Sequence, residues 1–348
     1  IDVQIFETYL LTNMNFQSLI ATKTSRIVSA AGHRTVVDFG ARRAHGRDAA
    51  ICGARAAYIG GATGTSLVIA GKKWGIPYIG TMPHKFIQDR DSELQAFREY
   101  AESFPHNLIL LVDTYDTLQG VRNACKVGHE LRARGYNLKG VRLDSGDLLE
   151  LSKESRKILD SEGFYDTKIF ASSDLDEFVI QDLISKGAPI DGFGVGTKLI
   201  TGANYNPITK EGGVSALDGI YKIAERLDEK GNPIPKIKIS RDKITLPSRK
   251  QVYRYIKDGK YVKDMITLWD ETISEAQPLL VPIMLKGELV YDFPELKEIR
   301  EHCHRQLSML PEQYKRLRGS EVYPVEISPK LSKLTEALIE KYSKITAT

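Results

Sequence analysis

Between Leu108 and Thr197 the sequence repeats one unit: a short continuous apolar run, a few polar residues, then a stretch of helical period. The runs are Leu108-Ile-Leu-Leu-Val-Asp113, Lys139-Gly-Val-Arg-Leu-Asp-Ser-Gly-Asp147, Lys168-Ile-Phe-Ala-Ser-Ser-Asp174 and Ile190-Asp-Gly-Phe-Gly-Val-Gly-Thr197. Uninterrupted apolar runs suit strands buried on both faces. Four successive strand-then-helix units argue for a parallel sheet or barrel with right-handed crossovers. The pattern predicts helices over about 118–134, 148–161 and 175–185. The class is α/β, and the architecture expected is a β/α barrel or a related parallel sheet.

Upstream, residues 7–31 read as a helix stopped by Gly32, and Thr35-Val-Val-Asp-Phe-Gly40 as a strand. Residues 49–59 and 67–73 read as helices and 76–80 as a strand. Beyond Gly202 the character shifts to loops rich in Gly, Asn and Pro, and then to alternating stretches. A strand is expected around Tyr221-Lys222 and others over 236–240, 248–254 and 261–269, with amphipathic helices over 294–310 and 331–342. The division expected is a catalytic barrel over 1–225 and a smaller α/β domain over 226–348.

Composition removes several classes. The chain has 348 residues, 42% hydrophobic and 27% charged, with a net charge of +4, as in an ordinary globular protein. No run is long and apolar enough to span a bilayer. The mild positive charge suits anionic small substrates, and no basic run interleaved with aromatics points to nucleic acid. Cys52, Cys125 and Cys303 are few and scattered, which fits a reducing cytoplasm. Glu301-His302-Cys303-His304 is a poor metal motif, because adjacent donors do not converge easily on one ion.

Each predicted strand ends in polar residues: Asp113 and Asp116, Asp144 and Asp147, Ser172 to Asp174, then Gly194 to Thr197. Barrel enzymes carry their active sites at these carboxyl ends, and a late glycine-rich turn is where such barrels bind phosphate. Asp147, just before a helix, also fits an N-cap. Ala41-Arg-Arg-Ala-His-Gly46 places two arginines on a turn, either as a fork for a carboxylate or phosphate or as a solvated basic loop. Gly60-Gly-Ala-Thr-Gly-Thr-Ser66 offers backbone N–H groups but lacks the lysine of a P-loop. His84 follows a strand end, where a titratable imidazole is useful and a structural one is common.

Five ordered motifs carry a resemblance: Asp38-Phe-Gly-Ala-Arg-Arg-Ala44, Gly60 to Ser66, Gly80-Thr-Met-Pro-His-Lys-Phe86, Val141-Arg-Leu-Asp-Ser-Gly-Asp147 and Phe193-Gly-Val-Gly-Thr197. With Gly219-Ile-Tyr-Lys222, Arg249-Lys-Gln-Val252 and Tyr323-Pro-Val325, the whole chain resembles nicotinate phosphoribosyltransferase, a type II phosphoribosyltransferase. The resemblance implies an irregular β/α barrel, a second α/β domain and a homodimer with shared active sites. The reaction it implies joins nicotinate to phosphoribosyl pyrophosphate in NAD salvage, giving nicotinate mononucleotide and pyrophosphate. It further implies Mg²⁺, with ATP hydrolysis coupled in ligase fashion through a phosphohistidine. Family members carry a leading segment whose tyrosine reaches the partner's nicotinate site, and this sequence begins after it.

The roles follow from the resemblance. Asp144 would bind the ribose hydroxyls and steady the developing ribosyl cation, and His84 would be the phosphorylated histidine. Asp113 would sit near the Mg²⁺-pyrophosphate. Gly194, Gly196 and Thr197 would hold the 5′-phosphate, with Lys222 arriving from the partner subunit. Lys243 and Lys250 would lie on the pyrophosphate side. Phe39 would stack on the pyridine, with Arg42, Arg43 and Arg142 around it. A nicotinamide-specific relative carries an acidic residue where Gly64 stands, which would repel the nicotinate carboxylate. A quinolinate phosphoribosyltransferase would show more basic residues and no matching histidine. A phosphosugar aldolase or isomerase barrel would need a Schiff-base lysine or a glutamate base at a strand end.

Overall fold

A computed structural model of the protein describes residues 2–203, 205–206, 211–212, 216–240 and 243–346, with side chains omitted for 2–4, 205–206, 211–212, 243 and 344–346. Two compact units divide the chain. One is formed by residues 12–218 with 299–301, the other by residues 1–11, 219–298 and 302–348.

In the larger unit, six parallel strands form a single sheet: β1 (Thr35–Asp38), β2 (Gly64–Thr65), β3 (Ile109–Leu111), β4 (Gly140–Leu143), β5 (Lys168–Ala171) and β6 (Gly192–Val195). Their order is β2-β1-β6-β5-β4-β3. The sheet curls into a half-barrel that stays open between β2 and β3 among the described residues, the irregular form of the expected barrel. The helices of this unit are α1 (Asp2–Ala31, of which residues 12–31 belong here), α2 (Arg47–Ile59), α3 (Val68–Trp74), α4 (His84–Gln88), α5 (Glu93–Ser103), α6 (Thr117–Arg132), α7 (Leu148–Ser161), α8 (Glu177–Ser185) and α9 (Thr197–Ile200).

The continuous apolar runs form strands because both faces are covered. Leu110, Leu111, Val141, Leu143, Ile169, Ala171, Phe193 and Val195 are all buried. Full burial of a large aliphatic or aromatic side chain contributes roughly 1.5–3 kcal/mol. Three of the helices that follow strands start on an aspartate. Asp116 accepts from Gln119 N at 2.7 Å, Asp147 from Leu149 N at 3.0 Å, and Asp176 from Phe178 N at 2.9 Å. Each cap satisfies helix-end donors and contributes about 1 kcal/mol. The N-cap reading of Asp147 is therefore correct.

Two expected strands differ. Residues 76–80 make only one parallel bridge, Thr65 to Tyr78. Pro77 has no N–H to donate, which limits the ladder there. Tyr221 and Lys222 lie outside any strand, and pairing begins only at Glu225–Leu227.

The smaller unit is built on a four-stranded sheet whose middle is the hairpin Lys250–Lys257 and Lys260–Leu268. Asp258 and Gly259, at φ +50° and +71°, make the two-residue turn that matches strand twist.

Candidate active site

Because all six strands are parallel, their carboxyl ends share one edge of the sheet, and the polar residues of the sequence collect there. Arg142, on β4, is the hub. Its Nε donates to Ser172 Oγ at 2.8 Å, its Nη1 to Thr81 Oγ1 at 2.7 Å, and its Nη2 to Asp144 Oδ1 at 2.9 Å. Three nitrogens held by three partners fix the guanidinium plane. The Arg142 guanidinium lies 5.1 Å from the centroid of the Phe39 ring, within cation–π range.

Phe39 owes its place to a glycine. A Cβ on Gly194 would lie 2.4 Å from two ring carbons of Phe39, so the aromatic and the β6 glycine fit only as a pair. Gly196 and Thr197 follow where β6 gives way to α9. Arg42 and Arg43 ride on the short 3-10 helix Ala41–Arg43 just past Phe39, with exposed side chains.

Asp144 takes hydrogen bonds on both oxygens. Oδ1 accepts from Arg142 and from the Ser172 hydroxyl, and Oδ2 faces His84 Nε2 at 3.4 Å. Burial works against its charge. The Arg142 charge and the hydrogen bonds from Ser172, Arg142 and His84 outweigh that and hold its carboxyl below the usual range. The other ring nitrogen of His84, Nδ1, sits 3.1 Å from Thr114 Oγ1. The two ring nitrogens thus face a carboxylate and a hydroxyl, and the hydroxyl can either donate to Nδ1 or accept from it.

Asp113 ends the β3 run and is buried. Its Oδ2 accepts from Asp144 N at 3.0 Å and from Ser145 Oγ at 2.7 Å, while its buried Oδ1 has no hydrogen-bond partner among the described residues. An orphaned carboxylate oxygen beside this cluster is a suitable ligand for a hard cation. Among the described residues no group of three His, Cys, Asp or Glu side chains forms a metal cage, so a divalent ion would take most of its oxygens elsewhere.

The structure thus brings Phe39, His84, Asp113, Asp144, Arg142, Gly194, Gly196 and Thr197 to the strand ends of one unit. It places Lys222 and Lys250 in the other unit. There Lys222 Nζ meets Glu7 at 3.2 Å, and Lys250 Nζ donates to the Leu246 and Ser248 carbonyls at 2.9 and 2.6 Å. Burial lowers the Lys250 pKa, partly offset by Glu225. The Lys243 side chain lies outside the described residues. The partners Thr81, Thr114, Ser145 and Ser172 were visible in the sequence only as polar strand ends, without roles. Ser173 takes φ +105°, a strained value for a non-glycine residue and one that accompanies functional turns.

Gly64 has a second explanation. It is buried in β2, and a Cβ there would lie 2.4 Å from the Pro77 carbonyl oxygen. In this backbone packing favours glycine at this position, and a side chain would require the Pro77 segment to shift. Gly64→Asp should lower stability by about 1–3 kcal/mol through overpacking, before any effect on the choice of base. Thermal unfolding followed by circular dichroism checks this. An unchanged midpoint would show that the strand yields.

A family model described as the nicotinate phosphoribosyltransferase (NAPRTase) family matches residues 35–254, and a model of the C-terminal domain of nicotinate phosphoribosyltransferase matches residues 272–335. The chain belongs to the nicotinate phosphoribosyltransferase family. A nicotinate phosphoribosyltransferase of Bacillus subtilis is 42% identical, over 94% of this chain and 70% of its own length. One from Mycobacterium tuberculosis is also 42% identical, over 95% of this chain and 68% of its own length. The human nicotinic acid phosphoribosyltransferase structure superposes with a TM-score of 0.78 at 25% identity, covering 97% of this chain and 77% of that one. A nicotinate-nucleotide pyrophosphorylase structure from Pyrococcus furiosus gives 0.68 at 31% identity, over 88% of this chain and 73% of that one. Within the family frame, the strand-end edge that holds Arg142 and Asp144 is the candidate active site.

Proposed function

We propose that the protein joins nicotinate to phosphoribosyl pyrophosphate, forming nicotinate mononucleotide and releasing pyrophosphate. The observation that carries this reading is the Arg142 hub, a fixed guanidinium over an aromatic ring with a carboxylate at its edge. The pyridine nitrogen attacks the anomeric carbon as the C–O bond to pyrophosphate breaks, and positive charge builds on the ribose. Such a reaction needs little proton transfer, so positioning and charge stabilisation dominate. Phe39 offers a stacking face for the flat ring. Arg142, with Arg42 and Arg43 on the adjoining turn, supplies charge for the nicotinate carboxylate. Asp144, held ionised, binds the ribose hydroxyls and opposes the cation. The turn at Gly194, Gly196 and Thr197 receives the 5′-phosphate.

Asp113 would hold Mg²⁺ through its unpartnered oxygen, with diphosphate oxygens completing the shell. The ion would neutralise leaving-group charge. His84 would be phosphorylated by ATP at a site bordering the pyrophosphate, where an added charge can order the surrounding loops. Two copies would share sites, with Lys222 supplied by the partner and Lys243 and Lys250 on the pyrophosphate side. No helix among the described residues is long and apolar enough to cross a membrane, and the scattered cysteines, which form no disulfide among the described residues, support a cytoplasmic setting.

Product analysis tests the reaction. Nicotinate, phosphoribosyl pyrophosphate and Mg²⁺ should yield nicotinate mononucleotide and pyrophosphate in equal amounts, and absence of either product contradicts it. His84→Ala should abolish stimulation by ATP while leaving basal pyrophosphate release measurable. Stimulation that survives the change removes His84 from the coupling.

A further inference from the structure

Asp38, the last residue of β1, is only 1% exposed, and its carboxylate meets no cation among the described residues. Burying a carboxylate without a counter-charge is costly unless both oxygens are hydrogen-bonded. Both are. Oδ1 accepts from the Gly40 N–H at 2.8 Å, and Oδ2 accepts from the Thr65 hydroxyl at 2.8 Å. Thr65 Oγ1 itself accepts from Leu67 N at 3.1 Å, which directs its own proton onto Asp38. The Asp38 backbone carbonyl takes a further bond from Ser66 N at 2.8 Å.

One side chain therefore ties together two turns. The first begins at Phe39 and carries Arg42 and Arg43. The second follows β2. The first turn is also closely packed from the other side. A Cβ on Gly40 would fall 2.5 Å from Ile200 Cβ, so the backbone rests directly on α9, and a Cβ on Gly196 would lie 3.3 Å from the Phe39 carbonyl. An asparagine at this place could accept on one atom only, so either the Gly40 N–H or the Thr65 hydroxyl would lose its acceptor. A carboxylate satisfies both donors.

We propose that Asp38 is a positioning residue for base recognition, holding Phe39 and the arginine turn in place through the Gly40 N–H and the Thr65 hydroxyl. This rests on the nicotinate reading of the site. It acts on the pyridine side, because Asp38 and Thr65 brace the Phe39 turn and leave the Asp113 and Asp144 carboxylates untouched.

The test compares Asp38→Asn, Thr65→Val and Thr65→Ser in the full-length protein with Mg²⁺. KM and kcat are measured separately for nicotinate and for phosphoribosyl pyrophosphate. Loss of one hydrogen bond to a charged group predicts a KM for nicotinate raised about ten- to a hundredfold in Asp38→Asn. Thr65→Val should move it in the same direction, and kcat and the KM for phosphoribosyl pyrophosphate should stay within about threefold. Thr65→Ser, which restores the hydroxyl, should return to wild-type values. If Asp38→Asn does not fold, the threonine pair decides. A KM that is unchanged in Thr65→Val, or that rises equally for both substrates, overturns the proposal. Wild-type protein that turns over no nicotinate removes the base reading and this inference together. Wild-type turnover with unmoved variants removes only the inference.

Discussion

Asp144→Asn should retain the fold and lose most of the rate. The amide keeps an acceptor for Arg142 and Ser172 but surrenders the negative charge opposite the ribose. Removing one preorganised electrostatic group from a transition state typically costs about 10²–10³ in kcat, and a fall of that size is expected in pyrophosphate release at saturating substrates. Substrate binding should change far less, because the charge it opposes exists only as the bond breaks. A variant with kcat within about fivefold of wild type would place the stabilising charge elsewhere. The same carboxylate predicts a pH signature. Asp144 is more acidic in the folded protein than its ordinary value of 3.8. Its contribution to stability is therefore complete above that value and is lost as pH falls through the lower folded value. Urea unfolding between pH 6 and 2.5 should show that loss in the wild type, and Asp144→Asn should lack this component.

Arg142→Lys should be nearly as damaging, although it conserves charge. The Arg142 side chain is 14% exposed and reaches Thr81, Asp144 and Ser172 from three separate nitrogens. An ammonium is a single point on a flexible stem and cannot span those three directions or present a planar face to Phe39. Asp144 would then lose its partner in a half-buried site, where breaking such a pair costs about 3–5 kcal/mol. We expect kcat/KM for nicotinate to fall by at least about 10³-fold, in keeping with that cost. The circular dichroism spectrum should be preserved, since Arg142 lies at a strand's carboxyl end and not in the packed core. A variant of near-normal activity would mean that the hub only fills space.

The sequence showed the scaffold clearly and the wiring hardly at all. The β3 to β6 runs were legible because strands buried on both faces have to be apolar throughout, and polar residues follow each run at once. Residues 76–80 misled for the same reason. They are apolar enough for a strand, yet the segment pairs only at Tyr78. Tyr221-Lys222 alternated like a strand without a neighbour to pair with. Among site residues, the carboxylates, the arginines and His84 stood out by type. Thr81, Ser172 and Thr114 did not, because hydroxyls at strand ends are common. Thr81 is 61 residues from Arg142, and Ser172 is 30, so only the order of the strands brings them together. Gly64 carried the opposite lesson. Its absence of charge reads as substrate selection, and the Pro77 carbonyl 2.4 Å from where a Cβ would sit adds a packing reason that the sequence does not show.

The central claim is that this strand-end edge is a nicotinate site. The direct measurement is pyrophosphate release by full-length protein supplied with phosphoribosyl pyrophosphate, Mg²⁺ and, in turn, nicotinate, nicotinamide or quinolinate. kcat/KM should be highest for nicotinate, and Arg142→Lys should erase most of the margin over nicotinamide, the analogue without the carboxylate. Preference for nicotinamide or quinolinate, or a margin untouched by Arg142→Lys, would contradict it.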